Sequence, residues 1–506
     1  MDFGTIIRLA FAQLAHRPWR SALLFGGFGL GVGVMIVLLS IGEAMMAQAR
    51  DERLVGGGAI TVLPEGLDVE MLKTGGVGGM WFSIANARFV HRQLLTSPRL
   101  GQDVVMAAPQ ISEKLAYLRI GGDADARVIP VRALGEIPSA SQAAGAVPPL
   151  ASGAWEDNAA DVAWLRPTPS ERLHQMDRLH VVPASVPADA RSSWAEWHYA
   201  NVVSDDGRQR LFVTLMLVGD VLHGEWGAQV LISQQVDGRA VRRWSRRVPA
   251  ARVQFDTTRA DLVVGDAVFR VRDDGRYDIR AKAESENGGP PIEVAFTLEP
   301  EPRQYFPGAD LGGQGLVSGY SVPVLRGRAS GQACVGADCF RFTNAQGYHD
   351  HNWGVWRSVN WEWGASRAGD FTFLYGRVQQ TDRDAASAPV FFYLVDSLGF
   401  RALFRPQQVE WTDDRTLAVD GTVLRVPSRG VMTDVRGNDT LQVELLVDDV
   451  AATDTRRGLI ERGETATARG IAKPWFLQLA GRARLRGRVG GRVLSGEGRG
   501  FFETYR

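Results

Sequence analysis

From Trp194 onward, apolar and polar residues alternate with a period of two. Leu211, Val213, Leu215 and Leu217 fall on one face of an extended segment, and Phe212, Thr214 and Met216 on the other. Phe371, Phe373, Tyr375 and Arg377 alternate in the same way with Thr372, Leu374 and Gly376. Asp-Gly pairs at 206–207, 237–238, 274–275 and 420–421 punctuate these runs, as tight hairpin turns require. Many short strands with no long helical pattern predict an all-β region, an antiparallel barrel or sandwich. The stretch is too large for one such unit, so two barrels are expected, 191–345 and 346–506, with the break near Phe340–Gly347.

The N-terminus has a different pattern. Phe3, Ile6, Ile7, Ala10, Phe11 and Leu14 recur at helical spacing, so residues 1–20 predict a short amphipathic helix on a membrane face, broken at Pro18. Ser21–Ile41 carries no charge and is long enough to cross ~30 Å of hydrocarbon at ~1.5 Å per residue. Its glycines, Gly26, Gly27, Gly29, Gly31 and Gly33, let a second helix approach closely. A cleaved signal peptide is the alternative, but the run is long and lacks a small-residue cleavage site. Arg8, Arg17 and Arg20 precede the run and Glu43 follows it, so the expected topology is a single-pass inner (plasma) membrane protein, with the N-terminus cytoplasmic and the bulk periplasmic or otherwise extracytoplasmic. Residues 140–190 are Ala/Pro-rich and read as a linker, with a short helical insert over Ser170–Leu179.

Composition narrows the partners. Lys+Arg and Asp+Glu stand at 57 each, so no basic surface is in excess and a nucleic-acid partner is not expected. The only cysteines, Cys334 and Cys339, are five apart in a hairpin-like CVGADC; outside the cytoplasm a local disulfide is expected, two free thiols being the alternative.

Candidate chemistry concentrates in GYHDHNWGVWRSVNWEWG (347–364), with His349, Asp350, His351, Glu362 and the tryptophans Trp353, Trp356, Trp361 and Trp363. A second cluster holds Glu196, Trp197, His198 and Tyr199. On a strand His349 and His351 share a face while Asp350 points away, and no third ligand is evident, so no metal site is expected. Acid–base chemistry on an apolar substrate is the other reading: a buried histidine beside a carboxylate donates a proton, and indole faces hold a carbocation. The plain alternative is that the tryptophans fill a core and the histidines satisfy buried backbone groups.

Two family resemblances bear on the choice. The amphipathic helix, HRPWR, the Gly-rich span, LLSIGEAMMAQAR and ITVLPEGLDVEMLKTGGVGGMWFSIANARFV resemble the start of MacB-type ABC-transporter permeases, which implies a small α+β extracytoplasmic segment over 42–139. Such permeases carry further spans that are not seen in this sequence, so transport is not implied. SSWAEWHYANVV, YFPG, SGYSVPVLRG, YHDHNWG and the closing GEGRGFFETYR resemble the AttH-like and carotenoid hydratase family, over about 177–506. That resemblance implies two tandem lipocalin-like β-barrels and a cofactor-independent hydratase (hydro-lyase) or cyclase acting on an isoprenoid or lipid-like molecule by protonation. It maps the family's motif His and Trp onto His351 and Trp353 and a downstream strand Tyr onto Tyr375; the two clusters add Asp350 as a catalytic candidate, and His349, Trp356, Trp361, Trp363, Glu196, Trp197, His198 and Tyr199 join Trp353 as substrate-binding candidates. Arg377 stands where the family hydratases have an acid. The rival expectation is a non-catalytic lipid-binding accessory subunit of an ABC exporter complex.

Overall fold

The computed structural model describes residues 2–50, 62, 84–122, 126–145, 155–181, 186–311, 318–356, 359–380, 389–419, 421–456 and 473–506. Most of the permease-like stretch 51–83 and parts of the expected linker, 146–154 and 182–185, lie outside the described residues, as does Asp420 of the last Asp-Gly pair. The chain divides into two units, Met1–Phe82 with Met106–Asp157, and Ser83–Val105 with Asn158–Arg506.

In the first unit a helix over Phe3–His16 starts at Asp2, whose carboxylate accepts the Thr5 amide at 3.0 Å. Arg17 separates it from a second helix, Pro18–Arg50, which places proline at the first position, where its missing N–H costs nothing. Residues Pro18–Glu43 have mean hydropathy 2.4 and are wholly exposed. This helix is long and apolar enough to cross a membrane, as a span or a signal anchor. β1 (Gln110–Ile120) and β2 (Arg127–Glu136) form an antiparallel hairpin in the same unit.

The second unit is mostly β, built on two large curled antiparallel sheets. The first uses β3 (Trp194–Val203), β4 (Gln209–Asp220), β5 (Glu225–Val236), β6 (Arg242–Pro249), β7 (Val253–Phe255), β8 (Asp261–Val264), β9 (Ala267–Val271), β10 (Tyr277–Ser285), β11 (Ile292–Pro300), β12 (Phe306–Leu311), β13 (Ser318–Val335) and β14 (Asp338–Val355). The order β11-β13-β14-β3-β4-β5-β6-β10 closes on itself because β10 also pairs β11. That ring leaves none of its eight strands an open edge. Leu211, Val213, Leu215 and Leu217 all point into its core at 1% exposure or less, as their alternation predicts.

The second sheet uses β15 (Val359–Ala368), β16 (Phe371–Gln380), β17 (Phe391–Asp396), β18 (Gly399–Phe404), β19 (Glu410–Thr412), β22 (Arg429–Arg436), β23 (Asp439–Asp454), β24 (Trp475–Val489) and β25 (Arg492–Tyr505), with a separate hairpin of β20 (Arg415–Val419) and β21 (Thr422–Val426). Phe373 and Tyr375 face its own core, and Leu374 faces a third apolar cluster shared with the first sheet. That cluster joins Tyr320, Val322, Leu325 and Tyr348 to Trp363, Ala365, Leu374, Tyr393 and Phe501.

Two boundaries differ from the sequence reading. β14 runs without interruption past the break expected near Phe340–Gly347, because YHDHNW pairs with β13 on one side and β3 on the other. β14 ends at Val355 in the first sheet and the second sheet begins with β15 at Val359, so the motif belongs to the first sheet. The stretch 140–190 carries helices at Ala159–Leu165, Pro169–Asp177 and Ala188–Arg191. The second of these, on the expected insert, has Pro169 at its first position and a reciprocal Thr168–Glu171 cap.

Cys334 and Cys339 sit opposite each other across the β13–β14 hairpin and are bonded as a disulfide. The non-reduced, denatured protein is therefore expected to resist thiol alkylation until a reductant is added; full labelling without reductant would contradict the bridge.

Candidate active site

Strand β14 presents opposite chemistries on its two faces. His349, His351 and Trp353 point into the first sheet's interior, and Tyr348, Asp350 and Asn352 point toward the second sheet. The alternation follows from the strand period alone.

On the interior face, the helix Pro169–Asp177 ends with Asp177 fully buried. Asp177 Oδ2 lies 2.9 Å from His349 Nε2, and His349 Nδ1 donates to the Tyr199 carbonyl at 2.9 Å. Asp177 Oδ1 lies 3.1 Å from His198 Nδ1 and 3.2 Å from His351 Nδ1. None of these last three atoms has an aligned hydrogen-bond partner among the described residues. His351 Nε2 donates to Glu196 Oε1 at 3.0 Å. Glu196 also accepts the amides of His180 (2.6 Å) and Val181 (3.0 Å), and approaches His180 Nδ1 at 3.2 Å. Trp353 stacks on the His180 ring, with centroids 3.7 Å apart. Gly354 follows at φ 141°, where a Cβ would run into Ser318; this is why glycine closes the NWG triplet.

Burial alone would raise Asp177 and Glu196, but the neighbouring histidines outweigh it. Asp177 is held well below the usual carboxylate range by His349 and His198, and Glu196 is lowered to about 2 by His180 and His351. Burial lowers His198 to about 4. Burial also works against a charged His351, yet its contacts with Asp177 and Glu196 prevail and raise it to about 9. Both His351 nitrogens thus face carboxylates, and no ring N–H is left over for a substrate.

On the opposite face, two tryptophans of β15 donate their indole N–H groups, one to Glu503 and the other to the Tyr348 hydroxyl beside Asp350. Trp361 Nε1 donates to Glu503 Oε2 at 2.8 Å. Trp363 Nε1 donates to the Tyr348 hydroxyl at 3.0 Å, which in turn donates to Asp350 Oδ2 at 2.8 Å. Asn352 Nδ2 donates to Asp350 Oδ1 at 2.7 Å. Both Asp350 oxygens therefore accept, the arrangement that suits a carboxylate. Glu503, on β25 directly across from Trp363, is 9% exposed. Burial, reinforced by the charge of Asp350, pushes Glu503 up to about 8 against the Trp361 hydrogen bond. Burial likewise raises Asp350 to about 6.

Aromatic rings surround this face. Tyr348 packs edge-on against Phe501 at 4.8 Å, Tyr320 against Trp363 at 4.9 Å, and Trp361 against Tyr505 at 5.0 Å. Trp197, Trp356 and Trp361 continue as a row, at 4.9 and 6.0 Å. Tyr199 contacts both Tyr348 and Phe501 at 6.3 Å. A cleft lined by Asn201, Gln346, Tyr348, Arg367 and Phe501, among others, opens beside Tyr348; its empty volume is about 420 Å³ including the solvent at its mouth.

The residues expected to act together are therefore divided. His351, His349, His198, Glu196 and Trp353 gather inside the first sheet. Asp350, Tyr199, Trp197, Trp356, Trp361 and Trp363 gather between the sheets. Tyr375 lies inside the second sheet, its hydroxyl without a partner among the described residues. The Glu362–Arg377 ion pair (2.6 Å) lies on β15 and β16 near it, and Trp411 Nε1 donates to Glu362 at 3.1 Å. The expected roles of His351, Asp350 and Tyr375 do not meet at one point. Sequence reasoning missed Asp177 and His180, which lie in the Ala/Pro-rich stretch, and Glu503, whose only signal was its place in the closing GEGRGFFETYR.

No family model and no curated protein matches the sequence, so the permease resemblance of the N-terminal quarter has no support. Solved structures similar to this chain include an AttH protein from Nitrosomonas europaea, 18% identical, with TM-score 0.41, covering 65% of this chain and 98% of that one. CghA solved with Sch210972 is 14% identical, with TM-score 0.43, covering 67% and 96%. Kievitone hydratase from Nectria haematococca is 11% identical, with TM-score 0.40, covering 65% and 96%.

Proposed function

We propose that the face between the two sheets binds an unsaturated apolar molecule, of isoprenoid or lipid-like class, and adds water to it or cyclises it by acid catalysis from Glu503. The observation that carries this reading is a buried glutamate, Glu503, that accepts the Trp361 indole N–H and stands directly across from Trp363 on the paired strand; burial favours its proton-bearing form. Glu503 donates its proton to one alkene carbon, forming a C–H bond and leaving a carbocation on the neighbouring carbon. Trp361, Trp363 and Tyr348 line the space in which that cation forms, where attraction to a desolvated aromatic face is worth roughly 2 kcal/mol, and the Asp350 carboxylate adds an opposite charge. Water then attacks the cation, forming the C–O bond, and its surplus proton returns to the Glu503 carboxylate. In a cyclisation a second double bond of the substrate attacks instead. No cofactor is needed for either step.

His351 is the competing donor on the other face of β14. The two are separated by conservative variants. Glu503→Gln should abolish turnover and His351→Gln should leave most of it, whereas the reverse result moves the acid to the first sheet's interior.

The same group gives a pH signature. Glu503 titrates higher in the folded chain, at about 8, than its ordinary 4.5, so the native state holds the extra proton between those values. Its stabilising contribution is complete below about pH 4.5 and is lost as pH rises through about 8. Relative to wild type, Glu503→Gln should therefore gain stability across that window, by a few kcal/mol at about 1.4 kcal/mol per unit. Equal urea midpoints for the two proteins at pH 5 and a higher one for the variant at pH 9 are the expected result.

The apolar helix Pro18–Glu43 supports a membrane-anchored form, with Arg8, Arg17 and Arg20 on the cytoplasmic side. A periplasm-dependent reporter fused after Arg506 should be active; activity of a cytoplasmic reporter there would reverse the orientation.

A further inference from the structure

Asp177, His198 and His351 come from three separate elements, the end of the helix Pro169–Asp177, β3 and β14. Each is at most 1% exposed. Their facing atoms, Asp177 Oδ1, His198 Nδ1 and His351 Nδ1, all lie within 4.8 Å of one another. The oxygen is 3.1 and 3.2 Å from the two nitrogens, yet no N–H lines up on it from either ring. Three buried polar atoms from three elements thus stand close together without an aligned hydrogen bond; in the metal-free chain a proton on His351 balances Asp177, and a cation bound between the three atoms would take that proton's place.

We propose that these three atoms are ligands of a divalent transition-metal ion, with zinc the best match. Ligand atoms about 2.0–2.1 Å from a tetrahedral ion stand about 3.3 Å apart, close to the two separations observed. One carboxylate with two imidazoles is a donor set that favours zinc and its first-row neighbours over magnesium or calcium, which prefer oxygen throughout. The surrounding contacts fit as well. His351 Nε2 donates to Glu196 at 3.0 Å, so once the ion displaces the Nδ1 proton that ring presents its lone pair at Nδ1, the proposed ligand atom. Asp177 keeps Oδ1 for the ion while Oδ2 meets His349 at 2.9 Å. Every ion pair of Asp177 and Glu196 among the described residues is to a histidine, none to lysine or arginine. A doubly charged ion balances the two carboxylates.

The site lies on the face of β14 opposite Asp350 and Glu503, so it stands or falls separately from the proposed acid chemistry.

The test uses the full chain in detergent, produced in zinc-supplemented medium, purified without chelators and desalted, with metal counted by mass spectrometry. The wild type should carry about one zinc per chain. Asp177→Asn and His198→Gln, which keep side-chain size, should each fall below about a tenth of that, while Glu503→Gln keeps the wild-type content. If either variant fails to fold, cobalt-grown wild type decides: the intense visible absorption of four-coordinate cobalt is expected, and its absence overturns the proposal. Wild type with less than about a tenth of an equivalent of any divalent metal overturns it too, as does full zinc retention in folded Asp177→Asn and His198→Gln.

Discussion

Replacing Glu503 with glutamine should lower turnover of an unsaturated apolar substrate by about two to four orders of magnitude, the usual weight of a positioned general acid. Glutamine keeps the length of the side chain and can still accept the Trp361 indole N–H, so the aromatic enclosure and substrate binding should survive. Only the transferable proton is lost. In the wild type, kcat should fall along an alkaline limb near pH 8 as Glu503 ionises, and the variant should lack that limb. Steady-state rates over pH 5–9 read both effects. A variant with wild-type kcat would remove Glu503 from the chemistry, and a loss confined to KM would make it a binding group.

The second large effect is structural. Glu196→Ala should destabilise the second unit by about 3–5 kcal/mol, the cost of breaking a buried charge pair by removing one partner. Glu196 accepts the amides of His180 and Val181 and the Nε2 proton of His351; all three would lose their acceptor, and the His351 donor would be stranded fully buried. Val181 has φ 50°, so this carboxylate also holds an unfavourable backbone turn in place. Denaturant unfolding of Glu196→Ala and Glu196→Gln should show most of the loss recovered by glutamine, whose amide oxygen still accepts. Near-wild-type stability for Glu196→Ala would show that His180 and His351 find other partners.

The strand periods were legible in the sequence because each strand has a defined inner face. Leu211–Leu217 is the plain case, and the opposite directions of Asp350 and His351 follow from the same rule. The break between sheets was expected near Phe340–Gly347, which lies inside one continuous strand, β14. Asn344 adopts φ 55°, but it makes an irregularity in the β13–β14 pairing and not an end to the strand. Tyr375 was joined to His351 by resemblance, yet it shares a strand face with Phe373 and so points into the second sheet. The helix ending at Asp177 was expected as a short insert, but nothing local in the sequence says that its last residue is buried beside the histidines of β3 and β14. Glu503 was hidden in the same way. A lone glutamate near a C-terminus says nothing until β25 pairs with β15 and sets it across from Trp363.

Proton transfer from Glu503 to carbon, in an apolar molecule held between the sheets, is the step on which the proposed function rests. Its most direct test is to incubate the purified full-length protein in D2O, extract the bound apolar molecules and measure carbon-bound deuterium by mass spectrometry. The wild type should yield a hydrated or cyclised product carrying one deuterium on carbon, and Glu503→Gln should leave the unsaturated precursor without deuterium. Equal deuterium from both proteins, or no apolar molecule in the wild-type extract, would contradict the account.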